Sequence, residues 1–183
     1  MRKHQHVILY SAIASFLLAM AGAYFINDIS TDIEQIGIVN ETREYKYKSV
    51  KVFFSNNKND PSTLYCDKTY VVEREADIED MDPRSMPGEL AYFALSELLK
   101  GPQKYEKEVG FFTSINDEVD LLKISIENGI ATVDFSEELN EGVAGSCRVM
   151  AIRSQISETL KQFSEVKDVV ISVEGRTEDI LQP

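Results

Sequence analysis

The sequence predicts an α+β domain: a mixed sheet in the order β-β-α-β-β-α-β with two helices packed on it, preceded by one N-terminal transmembrane segment. Three observations carry this. Apolar residues alternate on both sides of Asn128-Gly129, a pair that accepts the positive φ angles of a tight hairpin. Two stretches, Pro87–Lys100 and the residues from Ser146 onward, place apolar side chains at helical spacing. Val169–Val173 is an apolar run suited to a central strand.

Taken in order, residues 1–6 read as a cytoplasmic tail in which Arg2 and Lys3 precede an apolar run from Val7 to Ile26. At 1.5 Å per residue that run spans about 30 Å, the thickness of a bilayer's hydrocarbon core. The positive residues should stay in the cytosol, which places everything after residue 26 outside. Ala19-Met-Ala21 also fits a signal-peptidase site, so residues 7–26 read either as an anchor or as a cleaved signal peptide. The first gives a single-pass membrane protein with an external C-terminal domain, and the second a secreted one. Residues 27–48 show no sustained period and read as a linker. Residues 49–183 then form the extracytoplasmic domain.

Within it, Val50, Val52 and Phe54 alternate with Lys51 and Phe53, the mark of a strand, and Asn56–Pro61 is a turn cluster. Leu64–Val72 is expected to be the second strand and to carry Cys66, and the acidic stretch Glu73–Met86 to be a loop. Ala91, Ala94, Leu95, Leu98 and Leu99 make the stripe of the first helix, with Ser85 as its cap and Gly101-Pro102 as its stop. Leu122, Ile124 and Ile126 lead into the hairpin, and Ala131, Val133 and Phe135 lead out. The second helix has the stripe Val149, Ile152, Ile156, Leu160 and Phe163. Its opposite face is assigned Arg153, Gln155, Ser157, Glu158 and Lys161.

Composition narrows the function. A hydrophobic content of 43% over 183 residues supports a packed core, and a net charge of −12 argues against nucleic acid as a partner. Both histidines, His4 and His6, precede the apolar run, so the domain has no histidine for triad catalysis or metal ligation. No glycine-rich phosphate loop occurs, and no cofactor is implied.

Four blocks in a fixed order carry a family resemblance. They are Leu98-Leu-Lys-Gly-Pro102, Gly129-Ile-Ala-Thr-Val-Asp-Phe-Ser136, Thr159-Leu-Lys-Gln-Phe163, and the strand Val169 through Gly175; an opening strand at Val50 precedes them. In these the chain resembles the GerM family, the sporulation and spore-germination domain of bacterial envelope proteins, over roughly residues 50–181. The family is similar to ring-building motifs of spore-envelope complexes, which implies a compact binding domain able to assemble side by side. One copy of the domain is present.

The residues themselves leave several roles open. Asp134 and Ser136 can satisfy turn amides while Phe135 fills the core, and Thr159 and Gln162 can bond neighbouring backbone. Cys66 and Cys147 fit a disulfide in an oxidising compartment; two buried thiols, or a reactive thiol at a helix N-terminus, are the other readings. The expected function is a non-catalytic, membrane-tethered domain that binds peptidoglycan or an envelope protein, or forms a homo-oligomer. Arg148, Arg153 and Gln155 are the candidate contact surface. The alternative is a cell-wall hydrolase working through two carboxylates drawn from Glu73, Asp82 and Asp134.

Overall fold

In a computed structural model, residues 47–61, 65–79, 81–82 and 84–182 are described. The expected tail, the apolar run and nearly all of the linker lie outside them. Among the described residues no helix is long and apolar enough to cross a membrane.

Strand β1 (Tyr47–Asn56) buries Val50, Val52 and Phe54 on one face, as the alternation requires. It pairs antiparallel with β2 (Tyr70–Asp77), with Val52 opposite Val72. The second strand therefore starts later than expected and runs through residues assigned to an acidic loop. Glu73, Glu75 and Asp77 point outward while Arg74 and Ala76 are buried between them. The buried arginine breaks the apolar alternation that would have revealed the strand. Cys66 sits in the turn before β2, not on it.

Helix α1 (Met86–Leu99) buries Leu90, Ala91, Ala94, Leu95 and Leu98. Ser85 does not cap its first-turn amides; its hydroxyl lies 3.2 Å from the Asp82 carbonyl and bonds the Glu89 carboxylate. Gly101, at φ +74°, ends the helix and returns its amide to the Leu98 carbonyl at 3.0 Å. Two elements not foreseen follow, a five-residue helix α2 (Lys104–Glu108) and a two-residue strand β3 (Phe111–Phe112) that pairs with Ser55 and Asn56 of β1.

The hairpin forms as read. Strands β4 (Leu121–Glu127) and β5 (Ile130–Phe135) are joined by Asn128 at φ +53° and Gly129 at φ +86°. A register shift between Leu121 and Lys123 turns Leu122 outward, so Leu121 packs against the core in its place. Helix α3 (Ser146–Lys161) crosses back to β6 (Asp168–Val173), which runs parallel to β5. β6 is an edge strand, and the centre of its sheet is β5.

The strands form two three-stranded sheets, β2-β1-β3 and β4-β5-β6, rather than one mixed sheet. Helices α1 and α3 pack on each other and each reaches both sheets, α1 touching β1 and β4, α3 touching β1 and β6. The larger of two core clusters joins Phe54 from the first sheet, Phe135 and Val173 from the second, and Leu95, Ile152 and Leu160 from the helices, and a smaller one gathers Val50, Ala76, Ile78, Leu90 and Ala94.

Candidate functional site

The edge of β1 turned away from β2 explains why the sheets stay separate. Gln162, just past the end of α3, accepts the Lys51 amide at 2.7 Å and donates to the Lys51 carbonyl at 2.6 Å. One turn back, the Thr159 hydroxyl accepts the Phe53 amide at 3.2 Å. Gln155 continues the stripe, donating to the Ser55 hydroxyl at 3.1 Å and accepting from the Thr113 hydroxyl at 2.7 Å. The spacing i, i+4, i+7 puts all three side chains on one helix face. Thr159 and Gln162 thereby satisfy three backbone groups of this edge, the Lys51 amide and carbonyl and the Phe53 amide, as a neighbouring strand would.

The Asp-Phe-Ser corner is likewise consumed by the fold. Asp134 Oδ1 accepts from the Ser172 hydroxyl at 2.6 Å and the Gly175 amide at 2.8 Å, tying β5 to the end of β6. Ser136 and Asp120 exchange bonds, amide to carbonyl at 3.0 Å and amide to hydroxyl at 2.9 Å. Phe135 is fully buried between them in sequence.

Of the expected contact surface, only Arg153 presents an exposed side chain, and one of its nitrogens donates to the Ile180 carbonyl at 3.2 Å. Gln155 is 0% exposed, which corrects its assignment to the outer face: the polar stripe faces the β1 edge instead of solvent. Arg148 is half-buried and holds loops together, reaching the carbonyls of Ser114 (3.3 Å) and Gly142 (3.2 Å) and the Asn116 side chain. Cys66 and Cys147 are joined in a disulfide, with their Cα atoms 5.0 Å apart. It borders a cleft of about 310 Å³ that Tyr65, Lys68, Phe112 and Arg148 also line.

The three carboxylates of the hydrolase reading are engaged separately. Glu73 accepts from the Ser49 hydroxyl at 3.2 Å, and Asp134 is bound as above. Asp82 is paired with Arg84 at 2.9 Å, and that side chain holds its carboxyl below the ordinary value. A general acid needs the opposite shift. Among the described residues no three His, Cys, Asp or Glu side chains come together as metal ligands.

One buried ionic cluster escaped the sequence. Arg74 on β2 forks onto Glu106 of α2 at 2.7 and 2.8 Å, with Glu97 of α1 at 3.4 Å. Burial pushes the Glu106 carboxyl up, but the Arg74 fork, the Gln103 amide at 2.7 Å and the Arg74 charge outweigh it and leave the group below its ordinary value. The cluster fixes α2 on the strand. Partners so far apart in sequence give no local signal; only the lone arginine between two glutamates hinted at it.

A second cleft, of about 640 Å³, opens beside Gln162 and is lined by Lys48, Ser49, Glu73, Met86, Phe163 and Glu165 among others. On the second sheet Leu122, Ile130 and Val170 are exposed.

The comparisons agree with the family resemblance. The family model Germane, described as sporulation and spore germination, matches residues 51–179. The chain is similar to the tandem GerMN domains of the sporulation protein GerM from Bacillus subtilis, at 23% identity and a TM-score of 0.49, covering 72% of this chain and 40% of that one. It is also similar to the first GerMN domain of the same protein, at 19% identity and a TM-score of 0.47, over 71% of this chain and 85% of that one. A Clostridium perfringens chain described as a lipoprotein is 16% identical, with a TM-score of 0.46 over 74% and 80%. No curated protein matches the chain.

Proposed function

The chain belongs to the Germane family of sporulation and spore-germination domains, and from that premise we propose that it is a non-catalytic module, tethered to the membrane by residues 7–26, that docks onto an envelope protein or a second copy of itself. The observation that carries this reading is where the motif residues go. Asp134, Ser136, Thr159 and Gln162 all spend their hydrogen bonds inside the fold. What they build is a rigid scaffold, and rigid scaffolds with partly apolar faces are suited to recognition. The exposed residues Leu122, Ile130 and Val170 on the second sheet give that scaffold a contact face.

Peptidoglycan is the other ligand class that an external domain would meet. The purified full chain in detergent, sedimented with insoluble peptidoglycan and sized by light scattering without it, separates the possibilities. Self-association, or capture of an envelope protein that Ile130→Glu abolishes, supports docking through the sheet face. Pelleting with the wall makes peptidoglycan the ligand. Release of soluble wall fragments sinks the non-catalytic reading.

A further inference from the structure

Strand β4 is an edge strand, and among the described residues nothing pairs with the side turned away from β5. The hairpin shows which groups lie there. The turn bond across Asn128-Gly129 makes Glu127 and Ile130 a hydrogen-bonded pair, and in an antiparallel ladder bonded and non-bonded pairs alternate. Ile126 opposite Ala131, and Ile124 opposite Val133, are therefore non-bonded pairs. The other side of β5 agrees: the Phe135 carbonyl, two residues on from Val133, accepts the Glu174 amide just past β6 at 2.9 Å. The amides and carbonyls of Ile124 and Ile126 thus point out of the sheet. Natural sheets usually blunt such an edge, because another chain can pair with it.

This edge opens into a groove along α1, made of two clefts of about 640 and 450 Å³ that share Ser85 and Gly88. Ile124 lies with Tyr92 and Phe93 at one end, and Ile126 and Asn128 with Glu165 at the other. From Ile124 to Asn128 the strand runs about 14 Å, room for about five extended residues. Gly88 is the low point of the helix wall, for a Cβ there would meet nothing within 4 Å. Glycine is a poor helix former, and neither a positive φ nor crowding within the domain calls for one at this position. What the missing side chain provides is room in the groove. Glu89 and Glu165 are its carboxylates. Each accepts from a serine hydroxyl, Ser85 and Ser164 (3.1 Å), and among the described residues neither forms an ion pair. Arg84, the one cation among the described lining residues, is already paired with Asp82 at 2.9 Å.

We propose that this groove receives an extended segment of a partner protein, which adds to β4 as a strand and turns basic side chains toward Glu89 and Glu165. The outward amides and carbonyls of Ile124 and Ile126 alternate at strand spacing, the pattern that another extended backbone completes. Every second side chain of the added strand faces α1. A lysine or arginine there meets Glu89 or Glu165 and lays its apolar stem along the Tyr92 ring, which is 51% exposed. A second copy paired edge to edge would set its own Glu89 and Glu165 against these two, so charge favours a different, basic segment. The site is independent of the sheet face proposed above. Ile124 and Ile126 share the side of the buried Val133 and Ala131, whereas Ile130 and Val170 lie on the opposite side.

The test uses the full chain in detergent and a short labelled peptide that alternates lysine and threonine, with blocked ends. Before peptide is added, the Ile124 and Ile126 amides should exchange with solvent faster than those of Lys123 and Ser125, which β5 holds. Fluorescence anisotropy should then show saturable binding, and exchange at Ile124 and Ile126 should slow. The same peptide with glutamate for lysine, or with every amide N-methylated, should bind at least about tenfold more weakly. Gly88→Leu fills the groove with a good helix former, so it should keep the Tm and weaken binding about tenfold, and Glu89→Gln about threefold. Ile130→Glu should leave peptide binding unchanged, so that failure of this site and failure of the sheet face are read separately. Slow exchange at Ile124 and Ile126 in the free chain, absence of binding, equal binding of the N-methylated peptide, or indifference to Gly88→Leu would each overturn the proposal. So would self-association that Gly88→Leu abolishes, which would make a second copy the occupant.

Discussion

Replacing Gln162 by Met is the sharpest test of the edge seal. The substitution keeps the length and nearly the volume of the side chain, so packing changes little. It deletes the two bonds to the Lys51 backbone, at 2.7 and 2.6 Å, and a local one to the Thr159 carbonyl at 2.6 Å. A typical intramolecular hydrogen bond contributes about 0.5–1.5 kcal/mol net, so the two long-range bonds together are worth about 1–3 kcal/mol. Lys51 lies at an exposed part of the strand, where water replaces some of what is lost, and this favours about 1.5 kcal/mol. For a domain of roughly 140 residues the unfolding entropy converts that to a fall in Tm of about 5 °C.

Thermal unfolding gives the magnitude, and amide exchange gives the place. The Lys51 amide should lose protection while the Phe53 amide, still held by Thr159 at 3.2 Å, keeps most of its own. An unchanged Tm together with an unchanged Lys51 exchange rate would refute the claim that α3 side chains stand in for a strand. A Tm that holds while binding of an envelope partner fails would move Gln162 from scaffold to contact surface.

Three further outcomes are expected. Glu106→Gln leaves the Arg74 charge buried with Glu97 as its remaining carboxylate, and should cost about 3 kcal/mol in urea unfolding. Because the folded Glu106 carboxyl lies below its ordinary value of 4.5, its contribution is complete above that pH. It is lost as pH falls through the lower, folded value, a slope that acid titration of the wild type should show and of Glu106→Gln should not. Cys66→Ser with Cys147→Ser should lower stability by about 4.5 kcal/mol, because a loop of 81 residues is no longer closed in the unfolded chain; a loss below about 1 kcal/mol in chemical unfolding would contradict this. Asp134→Ala removes an ionised acceptor from Ser172 and Gly175 and should cost about 2–3 kcal/mol, with amide exchange rising first at Gly175.

The elements that were legible in the sequence are those whose signals are local. Asn128-Gly129 names its own turn, Gly101-Pro102 its own stop, and the stripes of α1 and α3 need only a helical period. Two of the departures share one cause, a polar side chain whose partner is remote. Arg74 hid a strand because its carboxylate lies 32 residues away, and Gln155 was put in solvent because Ser55 is 100 residues away. Both follow the same rule: polarity in a period argues for exposure only when nothing distant satisfies it. The rule could have been applied to α3. Gln155, Thr159 and Gln162 recur at i, i+4, i+7 beside the apolar stripe, and a helix rarely keeps so regular a line of uncharged polar groups next to its buried face unless that line meets backbone. Seen that way, the Thr-Leu-Lys-Gln-Phe block marks a strand edge closed by a helix, and the division into two sheets follows from it. The proposed contact face has no such marker. Leu122, Ile130 and Val170 come from three different strands, one of them turned outward by a register shift, and only the assembled sheet puts them on the surface together.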